Sequence, residues 1–375
     1  MKIHARRALV SGKWMQDCVV EIENGAICAV SRGSTGDLSV DTLTPGLFDK
    51  HLHGALGFDC KEPDEARCGE WLRMLLKHGI TDILYTVSTD SMERMQRGVE
   101  FAARIMRAQA DGGMPGACVQ GVHLEGPFIN PLRKGAMDEQ YILAPALETY
   151  EEIVGGNAGI IRAITMAPEM SGALELARLL ADRGVRVQVG HTDADYECMD
   201  AAAGSGFSGL THTFNAMSPI GHRKPGPAVF GIVDDRFCIE AICDGVHLDL
   251  AVVKLLLRAK GASGVAMVSD SAVTAGLPDG EYVHGGRYVR VADGCNYTRT
   301  GGIAGSWNQL DAGVTNLVNA GIPMEDAIRA ASTTPAAYLK LAHQLGNIAP
   351  RRPAHLAAWD AQAQCIWGYN GCFSD

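Results

Sequence analysis

Two textures in the 375-residue chain predict an α/β protein: a (β/α)8 barrel carrying a small β-sandwich domain. Through the middle, apolar strand-like runs alternate with amphipathic helical stretches, the pattern of a parallel sheet with crossover helices. At both ends, short β-like segments are divided by turn signals instead. A third observation is where the polar residues fall. Histidines and carboxylates sit at the carboxyl ends of the predicted barrel strands, where such barrels place their chemistry.

The opening strands are Ile3–Val10, Cys18–Ile22 and Ala26–Val30, separated by Gly12 and the Asn24-Gly25 turn pair. The tail repeats this texture after Gly346, with Ala354–Trp359 and Gln364–Trp367. Residues 1–44 and 346–375 are therefore expected to form the small domain, since chain termini commonly lie close together. Residues 45–345 are assigned to the barrel. Its strands are expected at Leu43–His53, Thr81–Thr86, Ala117–Leu124, Ile160–Met166, Val185–Gly190, Gly209–Thr213, Phe237–Cys243 and Gly264–Ser269. Helices fit the gaps at Asp64–His78, Ser91–Ala110, Ser171–Arg183, Asp195–Ala203 and Leu248–Lys260. Residues 280–302 break the rhythm and read as a β-hairpin inserted over the barrel mouth. A doubly wound open sheet is the alternative, but no GxGxxG or GxxxxGK[ST] follows a strand.

A net charge of −10 with no lysine or arginine block argues against nucleic acid or an anionic membrane as partner. No run reaches transmembrane length, and the N-terminal residues lack a signal-peptide core. Eleven dispersed cysteines without a CxxC pair read as reduced thiols, hence a cytoplasmic setting.

The chemistry gathers at strand ends. His51 and His53 close the first strand, and spacing of two places side chains on one face of a strand. His123-Leu-Glu125 closes the third, His191 follows the fifth, His212 lies in the sixth, and Asp270 follows the eighth. Each residue alone has an ordinary structural explanation; the joint pattern is what points to a site. Imidazole and carboxylate donors without clustered thiolates suit Zn²⁺ or a similar divalent ion in an open site. Such an ion activates water and polarises a carbonyl, and Asp270 beside it can accept and return a proton. The reaction read off these residues is hydrolysis of an amide or a similar bond.

With these residues placed, the chain resembles the N-acetylglucosamine-6-phosphate deacetylase family of the amidohydrolase superfamily nearly end to end. The resemblance rests on Pro45-Gly-Leu-Phe-Asp-x-His-x-His-Gly54, His123-Leu-Glu-Gly-Pro-Phe128, Gly190-His-Thr192 and Thr211-His-Thr-Phe-Asn-Ala-Met217. Asp244-Gly-Val-His247, Val268-Ser-Asp270, the Gly276–Tyr282 run and Ile303-Ala-Gly-Ser306 extend it. It implies Glu125, His191 and His212 as ligands of a principal metal, Asp270 as the acid–base residue, and His51 and His53 as ligands of a second ion or idle. It also implies a homodimer acting on a phosphosugar. The backbone at Asn215-Ala216, His247, and Arg223 reaching in from the neighbouring subunit would hold the phosphate, and the loop at Ile303 would close over the sugar.

One position departs from the pattern. Where the family places a carbonyl-binding histidine, Arg133-Lys-Gly-Ala-Met137 supplies a thioether, which donates no hydrogen bond. A second metal, His222 or another group would have to replace it, or the substrate is a different N-acyl or cyclic amide. A smaller departure is Trp307, expected to narrow the sugar pocket or to pack as a core residue. A non-catalytic homologue is the third reading, opposed by the intact ligand set.

Overall fold

The computed structural model describes residues 1–284 and 286–371, with the side chain of Arg287 outside the description. Gly285 of the expected hairpin and residues 372–375 of the expected small domain thus lie outside the described residues.

Strands β1 (Lys2–Val10), β2 (Lys13–Glu23), β3 (Ala26–Arg32) and β4 (Leu38–Pro45) open the chain. They share one six-stranded sheet with the last two strands, β18 (Leu356–Trp359) and β19 (Cys365–Tyr369), in the order β19-β18-β4-β1-β2-β3. All neighbours are antiparallel except β1 and β4. Ile3 and Ala5 of β1 are buried with Val20, Ile22, Leu43 and Leu356, the alternation expected of a strand with one covered face, while Ala8 and Leu9 are both buried at its far end. Both chain ends therefore build one unit, as the sequence predicted.

The barrel strands are β5 (Leu47–Asp49), β8 (Ile80–Ser88), β9 (Cys118–Glu125), β10 (Ile161–Met166), β11 (Arg186–Val189), β12 (Phe207–Leu210), β13 (Cys238–Ile242) and β14 (Val265–Val268). They pair in chain order, all parallel. Between β5 and β8 lies a miniature hairpin of β6 (Gly54–Ala55) and β7 (Phe58–Asp59). All nine residues of β8 are buried, because a barrel strand is covered by helices outside and packed side chains inside. The ring closes just past the strand ends, where Asp270 N–H donates to the His51 carbonyl and His53 N–H to that of Ser271, both at 2.9 Å.

Helices α1 (Glu65–Lys77), α2 (Met92–Ala110), α4 (Ala173–Asp182), α5 (Tyr196–Ala203) and α7 (Leu250–Lys260) match the five expected ones to within two residues at each end. Asp64, Asp195 and Asp249 cap three of them, accepting from the backbone N–H groups of Arg67, Cys198 and Ala251, which locks the first turn. Helices α3 (Leu147–Val154), α6 (Gly226–Val233), α8 (Leu310–Asn319), α9 (Met324–Ile328) and α10 (Thr334–Tyr338) were not anticipated. The run in α6, GPAVFGIV, carries no polar stripe to mark a helical period.

Two expectations change in detail. Leu43–His53 is not one strand: residues up to Pro45 pair with β1 and β18, Leu47–Asp49 belong to the barrel, and the two histidines follow the strand end. The insertion is three-stranded, with β15 (Gly280–His284), β16 (Arg287–Ala292) and β17 (Cys295–Tyr297) antiparallel.

Candidate active site

The carboxyl ends of the barrel strands converge on Glu125, the last residue of β9, only 3% exposed. Its Oε1 is 3.1 Å from Nε2 of both His191 and His212 and 3.4 Å from that of His51; its Oε2 is 3.3 Å from His53 Nε2. Asp270 Oδ1 completes the cluster, 3.1 Å from His53 Nε2 and 3.5 Å from His51 Nε2. His51 and His53 lie together here although neither is in a strand, so the strand-face spacing is not what pairs them; their rings are 5.1 Å apart at the turn after β5.

Unusual backbone brings the other side chains in. His191, His212 and Asp270 have φ of +48°, +29° and +49°, a left-handed conformation costing roughly 1 kcal/mol or more each outside glycine. Each follows closely on a barrel strand, so a sharp turn there returns the side chain to the mouth. Beside His191 only glycine fits: a Cβ on Gly190 would lie 2.6 Å from Thr165 Cγ2 and 2.8 Å from Thr211 Cβ.

The ring orientations are set from behind. His191 Nδ1 donates to the Arg133 carbonyl at 2.9 Å, so in the neutral ring Nε2 presents a lone pair. That lone pair faces a carboxylate oxygen and a second imidazole nitrogen, each at 3.1 Å, a repulsive arrangement that a cation among them relieves. His51 Nδ1 bonds Glu240 Oε2 at 2.9 Å, while its Nε2 is buried without a hydrogen bond. Glu240 also accepts from the His212 N–H at 2.9 Å and pairs with Lys50, which donates to Gln188 at 2.6 Å. Two donor sets result, Glu125/His191/His212 and His51/His53/Glu125, each with its ligand atoms within 4.8 Å of one another. They share the Glu125 carboxylate and fit a divalent metal.

The electrostatics agree. Burial raises the Glu125 carboxyl, but His51, His191 and His212 together hold it well below the usual carboxylate range. Burial likewise works against an ionised Asp270, and His51 and His53 overcome it, leaving its pKa lowered. His123 is different: burial, then His51 and Lys50, push its pKa well down, and its Nε2 bonds Thr165 Oγ1 at 2.8 Å. It is a neutral, fully buried residue outside the cavity lining.

Above the cluster lies a cavity of about 420 Å³ lined by His53, Glu125, Met137, His191, His212, Asn215, Ala216, His247, Asp270 and Ile303 among others. Ten of the twelve residues singled out from the sequence therefore line this cavity; His51 lies beneath, fully buried, and Arg223 is on an exposed loop away from it. His222 is exposed on the same loop and lines no part of the cavity, so within the subunit it does not replace the missing donor at Met137. Met137 is at the wall, 6% exposed. Trp307 is not in the lining, and its indole N–H donates to the Leu277 carbonyl at 2.9 Å, so it packs rather than narrows the pocket.

Comparison with known proteins is decisive at the level of family. The amidohydrolase family model matches residues 42–372. The N-acetylglucosamine-6-phosphate deacetylase of Vibrio furnissii is 33% identical over 363 residues, covering 94% of this chain and 90% of its own length. The chain belongs to this deacetylase family of amidohydrolases. A further member of the group, the N-acetylgalactosamine-6-phosphate deacetylase of Escherichia coli O157:H7, is 31% identical with 97% of both chains covered. The Mycobacterium smegmatis N-acetyl-D-glucosamine-6-phosphate deacetylase, solved as a mutant in complex with N-acetyl-D-glucosamine-6-phosphate, superposes with a TM-score of 0.92 at 28% identity over 100% of this chain and 99% of that one. Amidohydrolase membership implies a divalent metal, for which the two donor sets above are the candidates.

Several cavity residues escaped the sequence reading. Lys61, Asp59 and Ser88 line it beside His53, and His284 and Val289 reach it from the inserted sheet. Lys50 and Glu240 lie just beneath. Glu240 did leave a signal, a lone carboxylate inside the otherwise apolar strand Cys238–Ile242.

Proposed function

We propose that this deacetylase-family enzyme removes the N-acetyl group of an N-acetylhexosamine 6-phosphate, with N-acetylglucosamine 6-phosphate the first candidate. The observation that carries the proposal is the convergence of four imidazoles on Glu125 with Asp270 alongside. Glu125, His191 and His212 would hold one ion and His51, His53 and Glu125 a second; zinc suits these donors best. When bound, the ion supplies Lewis acidity toward water and the amide carbonyl.

The protein's own groups do the rest. Asp270, kept ionised by the neighbouring imidazoles, accepts a proton from the attacking water and passes it to the leaving nitrogen, releasing acetate and an amino-sugar phosphate. The Arg133 carbonyl and Glu240 hold the His191 and His51 rings in the tautomer that presents Nε2. His247 suits the phosphate end: burial lowers its pKa, but Asp244 at 2.7 Å reverses this and favours the imidazolium. The Asn215 N–H is donated to the His212 carbonyl at 2.9 Å, so the Ala216 N–H and the Asn215 side chain are assigned to the phosphate instead. Arg223 would reach the neighbouring subunit of a homodimer, where a guanidinium matches phosphate geometry. Ile303, on the loop tied to Asp270 through the Ser306 N–H at 2.8 Å, would cover the sugar. A cytoplasmic setting is supported by the ten described cysteines, which are thiols with no disulfide among the described residues.

Incubating metal-loaded enzyme with N-acetylglucosamine 6-phosphate and its galactosamine epimer, and measuring acetate, tests the proposal. Turnover of neither would favour the second reading, hydrolysis of another N-acyl or cyclic amide, which the Met137 thioether in the cavity wall motivates.

A further inference from the structure

The cavity wall beside His53 and Glu125 contains one lysine and no arginine among the described residues, Lys61. Its side chain is 5% exposed, and burying an ammonium costs several kcal/mol unless it is compensated. Compensation of charge is present: Asp59 and Asp90 lie 3.7 and 3.6 Å from Nζ. Compensation of hydrogen bonds is not. Of three N–H groups, one is used, donated to Ser88 Oγ at 2.8 Å, and both carboxylates are beyond hydrogen-bonding distance. A lysine kept for structure alone would close those bonds.

Its position is defined by the barrel. Ser88 ends β8 and is the direct register partner of Glu125 on β9, so the ammonium sits one strand away from the centre of the metal-binding cluster. Asp59 is electrostatically linked to His53 as well as to Lys61 and Arg94. Lys61 therefore brings spare donors and positive charge to the mouth, while the thioether of Met137 in the same cavity offers neither.

We propose that Lys61 donates a hydrogen bond to the acyl carbonyl oxygen of the bound substrate and strengthens it as negative charge develops there. This rests on the amide-hydrolysis reading above. The bond is made to an oxygen that gains charge only on the way to the tetrahedral state, so it lowers the barrier more than it tightens binding. No covalent bond to Lys61 forms and no proton leaves it.

The test compares wild type with Lys61→Met, Lys61→Arg and the Lys61→Met/Met137→His pair, using N-acetyl and N-thioacetyl forms of the substrate. In Lys61→Met we expect kcat to fall on the order of a hundredfold with KM and metal content little changed. The oxygen-to-sulfur rate ratio should shrink, because sulfur accepts hydrogen bonds weakly, and Met137→His should return at least about tenfold of the lost kcat. Arg94, 3.8 Å from Asp59 and 3.4 Å from Asp90, stays beside both carboxylates in the variant and balances one of their two charges. Should Lys61→Met nevertheless fail to fold, Lys61→Arg keeps the charge and carries the oxygen-to-sulfur comparison. A kcat within about threefold of wild type, or an unchanged ratio in the folded variant, overturns the proposal. Wild-type inactivity on both phosphosugars would instead sink the substrate assignment. The variants are then compared on the N-acyl amide that wild type does hydrolyse.

Discussion

Asp270→Asn isolates proton transfer from everything else in the site. The amide has the shape of the carboxylate, so packing beside His51 and His53, at 3.5 and 3.1 Å, is kept. The donor set Glu125/His191/His212 does not include Asp270, so metal binding is expected to survive. What is lost is the basic oxygen. A positioned general base contributes roughly 10²–10⁴ in rate, or about 2.7 to 5.4 kcal/mol at 1.36 kcal/mol per tenfold. Acetate release under saturating substrate should therefore fall by that factor with KM nearly unchanged, while metal per subunit, read by elemental analysis, stays at the wild-type value. A kcat within tenfold of wild type, with metal retained, would refute Asp270 as the proton carrier.

Other outcomes follow from the same geometry. Glu125→Gln replaces the anion shared by both donor sets with an amide, and metal affinity should drop at least about a hundredfold in a competitive chelator titration. Arg223→Ala should raise KM for a phosphosugar by tenfold or more with kcat nearly kept. If the proposed dimer shares its sites, mixing Arg223→Ala with Asp270→Asn subunits should restore turnover at low substrate concentration, because a hybrid dimer would join an intact Asp270 to an intact partner arginine; no recovery would count against the shared site. Trp71→Ala, removing a 1% exposed ring packed 5.1 Å from Phe58 and 6.0 Å from Tyr85, should cost about 3 to 5 kcal/mol, seen as a lower thermal midpoint of metal-saturated protein. His355 bonds Asp82 at 2.7 Å between the terminal sheet and the barrel. Burial lowers its pKa, but Asp82 more than compensates and leaves it raised above 6.5. A raised folded pKa stabilises below the unfolded value and is lost as pH rises through the folded one. The stability advantage of wild type over His355→Gln should thus be full near about pH 6 and shrink toward about pH 9; a gap that widens with pH would contradict it.

Much of this protein was legible before any coordinates. Strand and helix periods are local properties, so the eight-strand order and five helices emerged from them, with helix ends within two residues of those observed. The site was legible because a barrel brings strand ends to one mouth: ranking residues by proximity to a strand end was enough to select His51, His53, Glu125, His191, His212 and Asp270. Tertiary structure alone decided the rest. That the expected strand Leu43–His53 divides at Pro45 depends on pairing of β4 with β1 and with β18, the latter some 300 residues away in sequence, which no local period encodes. The left-handed turns at His191, His212 and Asp270 are imposed by packing against the intrinsic preference of those residues. Lys50, just past the end of β5, reaches Glu240 on β13, with β14 between their strands, and Lys61 reaches Ser88 at the end of β8; both contacts follow from the folded barrel and not from spacing along the chain. Residue types at spacings along the chain determined which chemistry is present; contacts across the chain decided which groups are held, charged and aimed.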